Sequence, residues 1–226
     1  MRVINRSAFI AVTLAAVATF GLAACSSPAS STMKNDTKAS SSPSATMNDP
    51  AADLVGSGCA GYASANPDGG GSIKGMSQDL VAQAASNNPL LKTLVAAVSG
   101  KLNADVNLVS TLNGSEFTVF APVDSAFAKP DAATVNSLKD PANAAMLQCC
   151  NAAMLQSILT YHVVPGQIAP DAIAGTQTTV NGATVTVTGS GNNIKVNDAN
   201  VICGGVHTAN ATVYLIDSVL MPPAKK

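Results

Sequence analysis

The side chains of this sequence that could do chemistry are five cysteines, two histidines and a single glutamate. A thiol can take a lipid, pair in a disulfide or bind a metal, and a histidine can act as a general acid or base. Cys25 ends an apolar N-terminal segment, whereas Cys59, Cys149, Cys150 and Cys203 lie further along the chain. The segments around these side chains decide which chemistry each one can perform.

Cys25 closes a segment that is typical of bacterial lipoprotein export. Two arginines give it a positive start, and the apolar run Ala8 to Leu22 is shorter than the roughly 20 residues of a membrane span. The run ends in Leu22-Ala23-Ala24-Cys25, which resembles a lipobox, in which the cysteine thiol takes a diacylglyceryl group. We therefore expect residues 1–24 to be a signal peptide and the mature protein to lie outside the cell, anchored by lipid. The alternative is an ordinary signal peptide followed by an incidental cysteine.

Residues 25–50 are predicted to be a disordered linker. Seventeen of the twenty-five residues from Ser26 to Pro50 are Ser, Thr, Pro or Ala, with no apolar period. Such a segment cannot bury enough apolar surface to offset the entropy of ordering it. Thr32, Thr37 and Thr46 lie near Ser and Pro, as in O-glycosylated stalks, and a bare spacer is the alternative.

The charge of the mature protein disfavours one class of partner. Removal of the signal peptide takes away both arginines, so that ten lysines face thirteen acidic residues and the net charge is −3. No basic run occurs beyond Lys225-Lys226. We therefore expect no binding of nucleic acid.

The chain is organised around the segment Phe117 to Phe127. Its β-branched and aromatic residues predict a strand that follows the turn Asn113-Gly114. Pro122 has no N–H group for the ladder and must end the strand. Asp124 or Ser125 can then cap a helical turn.

Three segments, in order, resemble the signature boxes of fasciclin (FAS1) domains. Phe117 to Phe127 is similar to the first box, Leu159 to Val164 to the Tyr-His motif, and Ala211 to Leu220 to the closing box. The resemblance covers about Gln78 to Leu220 and is strongest to the mycobacterial secreted and lipidated fasciclin antigens. It implies a FAS1 domain in residues 78–220. Residues 51–77 would be an N-terminal extension packed on it, and residues 221–226 a tail.

The pattern of elements agrees with that resemblance. Asp49 as cap and Pro50 at the first position predict a helix over Ala51 to Tyr62. Apolar spacing predicts helices in Leu91 to Val98 and Asn143 to Tyr161, whereas the last third is predicted to form short strands around the hairpin turn Asn181-Gly182. Helices followed by strands indicate an α+β domain. We expect a curved β-sandwich with several helices packed at one edge, which is the FAS1 fold.

One segment departs from the family pattern. Asn143 to Gln148 recurs as Asn151 to Gln156, with Cys149 and Cys150 between the copies. Eight residues turn a helix face by about 80°, so the two copies cannot pack identically. We expect the second copy to be core and the first to project, where Cys149 or Cys150 could link two chains. The expected core residues of this helix are Met154, Leu155 and Ile158.

Four cysteines outside the signal segment allow three pairings. Adjacent Cα atoms lie about 3.8 Å apart, below the usual disulfide range of about 4.4–6.8 Å, so a Cys149–Cys150 bond would be strained. Resemblance to the mycobacterial antigens implies a Cys59–Cys203 disulfide. A zinc site is the alternative use of these cysteines. The sequence has only two histidines and no Cys-x-x-Cys spacing, which argues against it.

Tyr161 and His162 form the Tyr-His pair. Fasciclin domains use this pair both as a structural element and as an integrin or adhesion determinant, so the resemblance implies either role here. The simpler interpretation of His162 is a core histidine whose ring bonds its neighbours. Asp124, in the first box, is expected to be the partner of that ring. His207 is predicted to be a loop histidine with no group nearby for it to activate.

The sequence gives little support for catalysis. Gly-x-Ser-x-Gly, a phosphate-binding glycine loop and His-Glu-x-x-His are all missing from it. A triad of a serine, His162 and Asp124 can be drawn, but a histidine inside an apolar run has poor access to substrate. We expect no enzyme activity, no cofactor and no metal.

Two functions from different classes remain. The first is a lipid-anchored cell-surface protein whose FAS1 domain is an adhesion module for a host, matrix or neighbouring-cell protein or glycan. The second is an extracytoplasmic carrier of a lipid or other apolar ligand, favoured by the adaptable Met-Leu pairs of the duplicated helix.

Overall fold

The computed structural model of the protein describes residues 49–129 and 144–223, and for residues 144–151 it describes only the backbone. The expectations for Cys25, for the three linker threonines and for the thiols of Cys149 and Cys150 therefore lie outside the described part.

Helices and strands of the described residues follow the order expected for an α+β domain. The α-helices are α1 (Cys59–Ala65), α2 (Ile73–Met76), α3 (Val81–Asn87), α4 (Lys92–Val98), α5 (Val109–Asn113) and α6 (Ala144–Tyr161). The strands are β1 (Phe117–Pro122), β2 (Val163–Pro165), β3 (Gly175–Thr178), β4 (Thr184–Thr188), β5 (Lys195–Val196), β6 (Ala199–His207) and β7 (Ala211–Ile216). A 3₁₀ helix, Asp124–Ala128, follows β1.

The seven strands of the described part form one sheet in the order β2-β1-β7-β6-β5-β4-β3. Strand β1 pairs in parallel with β7, from Phe117 beside Ala211 to Pro122 beside Ile216, and the other pairs are antiparallel. Every residue of β1 and β7 is buried, as expected for central strands that are covered on both faces. The strand predicted from Phe117 is therefore present and ends at the proline.

The sheet curves until its two ends meet. The turn between β3 and β4 returns to β2, where the Val180 N–H donates to the Val163 carbonyl at 2.7 Å. The curved sheet encloses one apolar core, in which the rings of Phe120 and Tyr214 pack with centroids 5.8 Å apart. This is the curved sandwich that the sequence predicts.

A second core lies between the sheet and the helices. From α6 it receives Leu155, Ile158 and Leu159, which recur at i, i+3 and i+4 and so define the inward face of that helix. Leu155 and Ile158 are core residues, as predicted. The prediction for Met154 is wrong, because it stands about 100° around the helix from Leu155 and is 48% exposed.

The N-terminal extension is attached to β6. Val55 and Gly204 exchange two backbone hydrogen bonds, at 3.0 and 2.7 Å, and the Gly58 N–H donates to the Ile202 carbonyl at 2.9 Å. Gly56 allows this approach, because it has φ +101° and a Cβ there would lie 2.5 Å from the Ile202 oxygen. The helix predicted over Ala51 to Tyr62 therefore begins only at Cys59, since the residues before it pair with the sheet.

Candidate functional site

The extension is fixed to the sheet by a disulfide. Cys59 at the start of α1 and Cys203 in β6 are bonded, with Cα atoms 4.7 Å apart across 144 residues of sequence. Both residues are buried. The expected Cys59–Cys203 pairing is confirmed, and its burial makes it a structural staple.

His162 joins α6 to the end of the domain. It follows the last residue of the helix and is 2% exposed. Its Nδ1 lies 2.8 Å from the Ile158 carbonyl, and the Leu220 N–H donates to its Nε2 at 3.0 Å. Because Nε2 accepts, Nδ1 must carry the proton and donate. His162 is therefore a neutral ring that bonds two backbone groups.

Burial lowers the pKa of His162 to about 4, although the bond to Ile158 opposes part of that shift. The unfolded chain takes up this proton near pH 6.5, whereas the folded chain does so only near pH 4. We expect the contribution of His162 to stability to be constant above about pH 6.5, to fall by about 3 kcal/mol as the pH drops to 4, and to level off below. Urea unfolding across this range should show the fall.

The matched variant is His162→Gln, which cannot bind the proton and should lose this part of the pH dependence.

A second group, Asp217, changes the stability only at lower pH. Burial would raise its pKa, but hydrogen bonds from Asn200, Lys129 and Ser218 lower it to about 2. Its contribution is thus lost as the pH falls from 3.8 through 2, outside the histidine's range. A wild-type protein as stable at pH 4.5 as at pH 7 would contradict the buried neutral ring.

The expected hydrogen bond between Asp124 and His162 is wrong. Asp124 Oδ1 accepts from the Thr93 N–H at 2.7 Å, and the Asp124 N–H donates to the Leu90 carbonyl at 2.8 Å. Thr93 lies in the first turn of α4, whose N–H groups have no partner within the helix. Asp124 therefore caps α4 and connects the first box to the helices.

Tyr161, the last residue of α6, connects this helix to a different part of the sheet from the one that His162 contacts. Its ring is buried in the core enclosed by the sheet. Its hydroxyl donates to the Thr184 carbonyl at 2.9 Å and receives the Asn197 side-chain N–H at 3.2 Å. Tyr161 thus fixes β4 and the turn after β5, while His162 fixes the chain after β7. The Tyr-His pair is a buried brace and offers no ring to solvent.

His207, in contrast, has a partner that no sequence motif indicates. Its Nε2 lies 2.8 Å from Asp53 Oδ2, in a partly exposed pair that joins β6 to the extension. The prediction that His207 lies in a loop is wrong, because it is the last residue of β6. The two residues are 154 positions apart, and no local motif links them.

These positions do not form a catalytic triad, and the described residues hold no cluster suited to a metal ion. His162 and Asp124 are each committed to backbone groups, so the triad drawn from the sequence is not assembled. Within residues 49–129 and 144–223, no three His, Cys, Asp or Glu side chains are placed to hold a metal ion. Asp124 and His162 therefore stabilise the fold, and the domain can present its exposed residues to a partner.

A small apolar cavity of about 50 Å³ lies between the helices and the sheet. Its lining includes Val81, Leu91, Leu94, Val119 and His162. The polar atoms of His162 are satisfied elsewhere, so the cavity offers little to hold a water molecule. An apolar group is its natural occupant.

Comparisons with known proteins bear on the whole domain. The sequence pattern of the Fasciclin domain matches residues 89–222. Cell surface glycolipoprotein MPB83 of Mycobacterium bovis is 54% identical over 220 residues, which cover 95% of this chain and 96% of that protein. Immunogenic protein MPB70 of Mycobacterium bovis is 60% identical over 174 residues, which cover 77% and 85%.

A solved FAS1 domain pair, from the insect cell adhesion molecule fasciclin I, aligns with a TM-score of 0.48 and 17% identity. The alignment covers 65% of this chain and 52% of that one. The pattern match spans more than half of the chain, and MPB83 is similar along nearly its whole length. The chain therefore belongs to the fasciclin family.

Proposed function

We propose that this protein is a lipid-anchored cell-surface protein whose fasciclin domain is an adhesion or host and matrix interaction module without enzyme activity. The observation that carries the proposal is the similarity to the cell surface glycolipoprotein MPB83 over 95% of this chain. His162 is buried, with both ring nitrogens bonded to the backbone. His162, the histidine of the signature motif, therefore stabilises the fold. Exposed residues elsewhere in the domain must then make the contacts with a partner. The relative MPB83, named a cell surface glycolipoprotein, supports the location.

Anchoring is proposed to occur through Cys25. No helix among the described residues is long and apolar enough to cross a membrane. Attachment through the lipobox Leu22-Ala23-Ala24-Cys25 is consistent with that finding. We expect Cys25→Ala to move the protein from the membrane fraction to the soluble fraction, and intact wild-type protein to carry an acyl mass. A variant that stays in the membrane fraction, with no acyl mass on the wild type, would contradict the anchor.

The adhesion function can be tested with cells that display the full chain. Displaying cells should bind cultured epithelial cells or a basement-membrane extract more than cells that express Cys25→Ala, which places no protein on the surface. Equal binding by the two strains would contradict the proposal. O-glycosylation of Thr32, Thr37 and Thr46 and a dimer through Cys149 or Cys150 belong to the same proposal.

The alternative function, an apolar carrier, is favoured by the cavity between helices and sheet. Its volume of about 50 Å³ is small. An engineered cavity that binds benzene measures about 150 Å³. A lipid chain would therefore have to displace α3 or α4, which places the carrier function second. Native mass spectrometry of the purified protein would show a retained lipid if the carrier function were correct.

A further inference from the structure

A cleft of about 440 Å³, with apolar and polar groups in its walls, lies between residues 49–78 and β6. Its walls include Asp49 and Pro50 from the end of the predicted linker, Asp53 and Lys74 from the extension, Gln78 from the start of the domain, and His207 from β6. The volume lies in the range of about 300–1,000 Å³ that is usual for small-molecule sites. Of these residues, His207 alone falls within the stretch matched by the Fasciclin pattern, so the cleft depends on the extension.

The cleft is preformed, because the extension is attached firmly to β6. The disulfide, the Val55–Gly204 backbone pair and the 2.8 Å contact between His207 and Asp53 hold its two sides together. Gly205 has φ +71°, and a Cβ at this position would clash with the Asp53 carbonyl. A ligand would therefore enter without first ordering a loop, which removes one of the costs of binding.

The cleft carries charges of both signs. Asp53 is already bonded to His207. Asp49 and Lys74 then contribute one carboxylate and one ammonium group to the same walls. An anionic ligand would meet two carboxylates and a cationic ligand would meet the Lys74 ammonium, so neither kind of charge fits the whole cleft.

Donors and acceptors in the cleft are free to bind. Across residues 49–129 and 144–223, neither the Lys74 ammonium nor the Gln78 amide has a hydrogen-bond partner, and both residues are exposed. Asp49 uses Oδ1 to accept from the Ala51 N–H at 3.0 Å, which leaves its second oxygen available. Hydroxyl groups both donate and accept, so a polyhydroxyl compound can satisfy these groups together.

We propose that this cleft binds a neutral saccharide of one or two rings, with the ring of Pro50 against the apolar face of a sugar. The inference rests on the proposed surface-interaction function and gives it a glycan partner. Because the cleft is open to solvent and offers few polar groups, we expect affinity for one site to be weak, with Kd about 1 mM. Many anchored copies on one cell would raise the overall avidity.

The test is saturation-transfer NMR on the full chain, kept in a detergent without a sugar headgroup. The probes are three neutral disaccharides, maltose, lactose and chitobiose, with glucuronate and lysine methyl ester as charged probes. We expect transfer to at least one disaccharide and little to the charged probes. Lys74→Ala and Gln78→Ala should each raise its Kd about fivefold.

Lys101→Ala is the matched control, since Lys101 is also an exposed lysine but lies outside the cleft. All three variants should unfold at the wild-type urea concentration, because exposed side chains contribute little to stability. Absence of transfer to every disaccharide, or transfer that neither variant weakens, would overturn the inference. Stronger transfer to lysine methyl ester would overturn it in favour of a basic peptide.

Failure of this inference differs from failure of the proposed function. If displaying cells adhere and the Lys74→Ala strain adheres equally well, the partner contacts another surface and the cleft proposal is wrong. If saccharide binds but displaying cells adhere no better than the Cys25→Ala strain, the cleft proposal stands and the adhesion proposal is wrong.

Discussion

Removal of the Cys59–Cys203 disulfide is expected to lower the free energy of unfolding by about 4 kcal/mol. The bond closes a loop across 144 residues, so its loss greatly increases the freedom of the unfolded chain. The double variant Cys59→Ala/Cys203→Ala should therefore unfold at a much lower urea concentration than the oxidised wild type.

A reductant provides the internal control for this variant. Cys203 is fully buried, so alanine at that position also removes packing. Reduced wild-type protein keeps both sulfur atoms and loses only the bond. We expect the reductant to lower wild-type stability toward that of the variant and to leave the variant unchanged. A wild type that is insensitive to reductant under unfolding conditions would show that the bond contributes little.

The elements with local signals could be predicted from the sequence. The strand from Phe117 follows from a run of β-branched and aromatic residues that ends at a proline. The hairpin around Asn181-Gly182 follows from a turn pair between alternating strands, and the structure pairs Thr178 with Thr184 across it. In both cases the residues that determine the conformation lie next to one another in the chain.

The interactions that position the site could not be predicted in this way. The signature boxes predict Asp124 as the partner of His162, yet Asp124 caps α4 through Thr93, 31 residues earlier. Asp49 and Pro50 are typical of a helix start, but Val55 after them pairs with Gly204 of β6. Tertiary pairing overrides local propensity at such positions, and one sequence carries no sign of the partner.

The Met154 error has a simpler cause. The sequence alone placed Met154 on the same helix face as Ile158, because residues at i and i+4 are neighbours. The structure turns the inward face toward Leu155, Ile158 and Leu159 instead. An apolar run contains several stripes of this kind, and only the position of the sheet decides which one is buried.

His162→Ala is the second large effect, and it is expected to cost about 3–4 kcal/mol of stability. The change leaves the Leu220 N–H without its acceptor and the Ile158 carbonyl without its donor, each at about 1–3 kcal/mol. The backbone cannot replace the second bond, because the His162 N–H donates to Leu159 instead, at 3.2 Å. Thermal unfolding should shift down by about 10 °C.

His207→Ala is the matched control for this change. His207 is partly exposed and bonds a carboxylate at the surface, so its loss should change stability by about 0.5 kcal/mol or less. Adhesion by displaying cells should fall for His162→Ala in step with the fraction of protein that unfolds, and should recover when the temperature is lowered. Adhesion lost at a temperature where the variant is fully folded would instead make the His162 ring part of the contact surface and contradict its role as a buried brace.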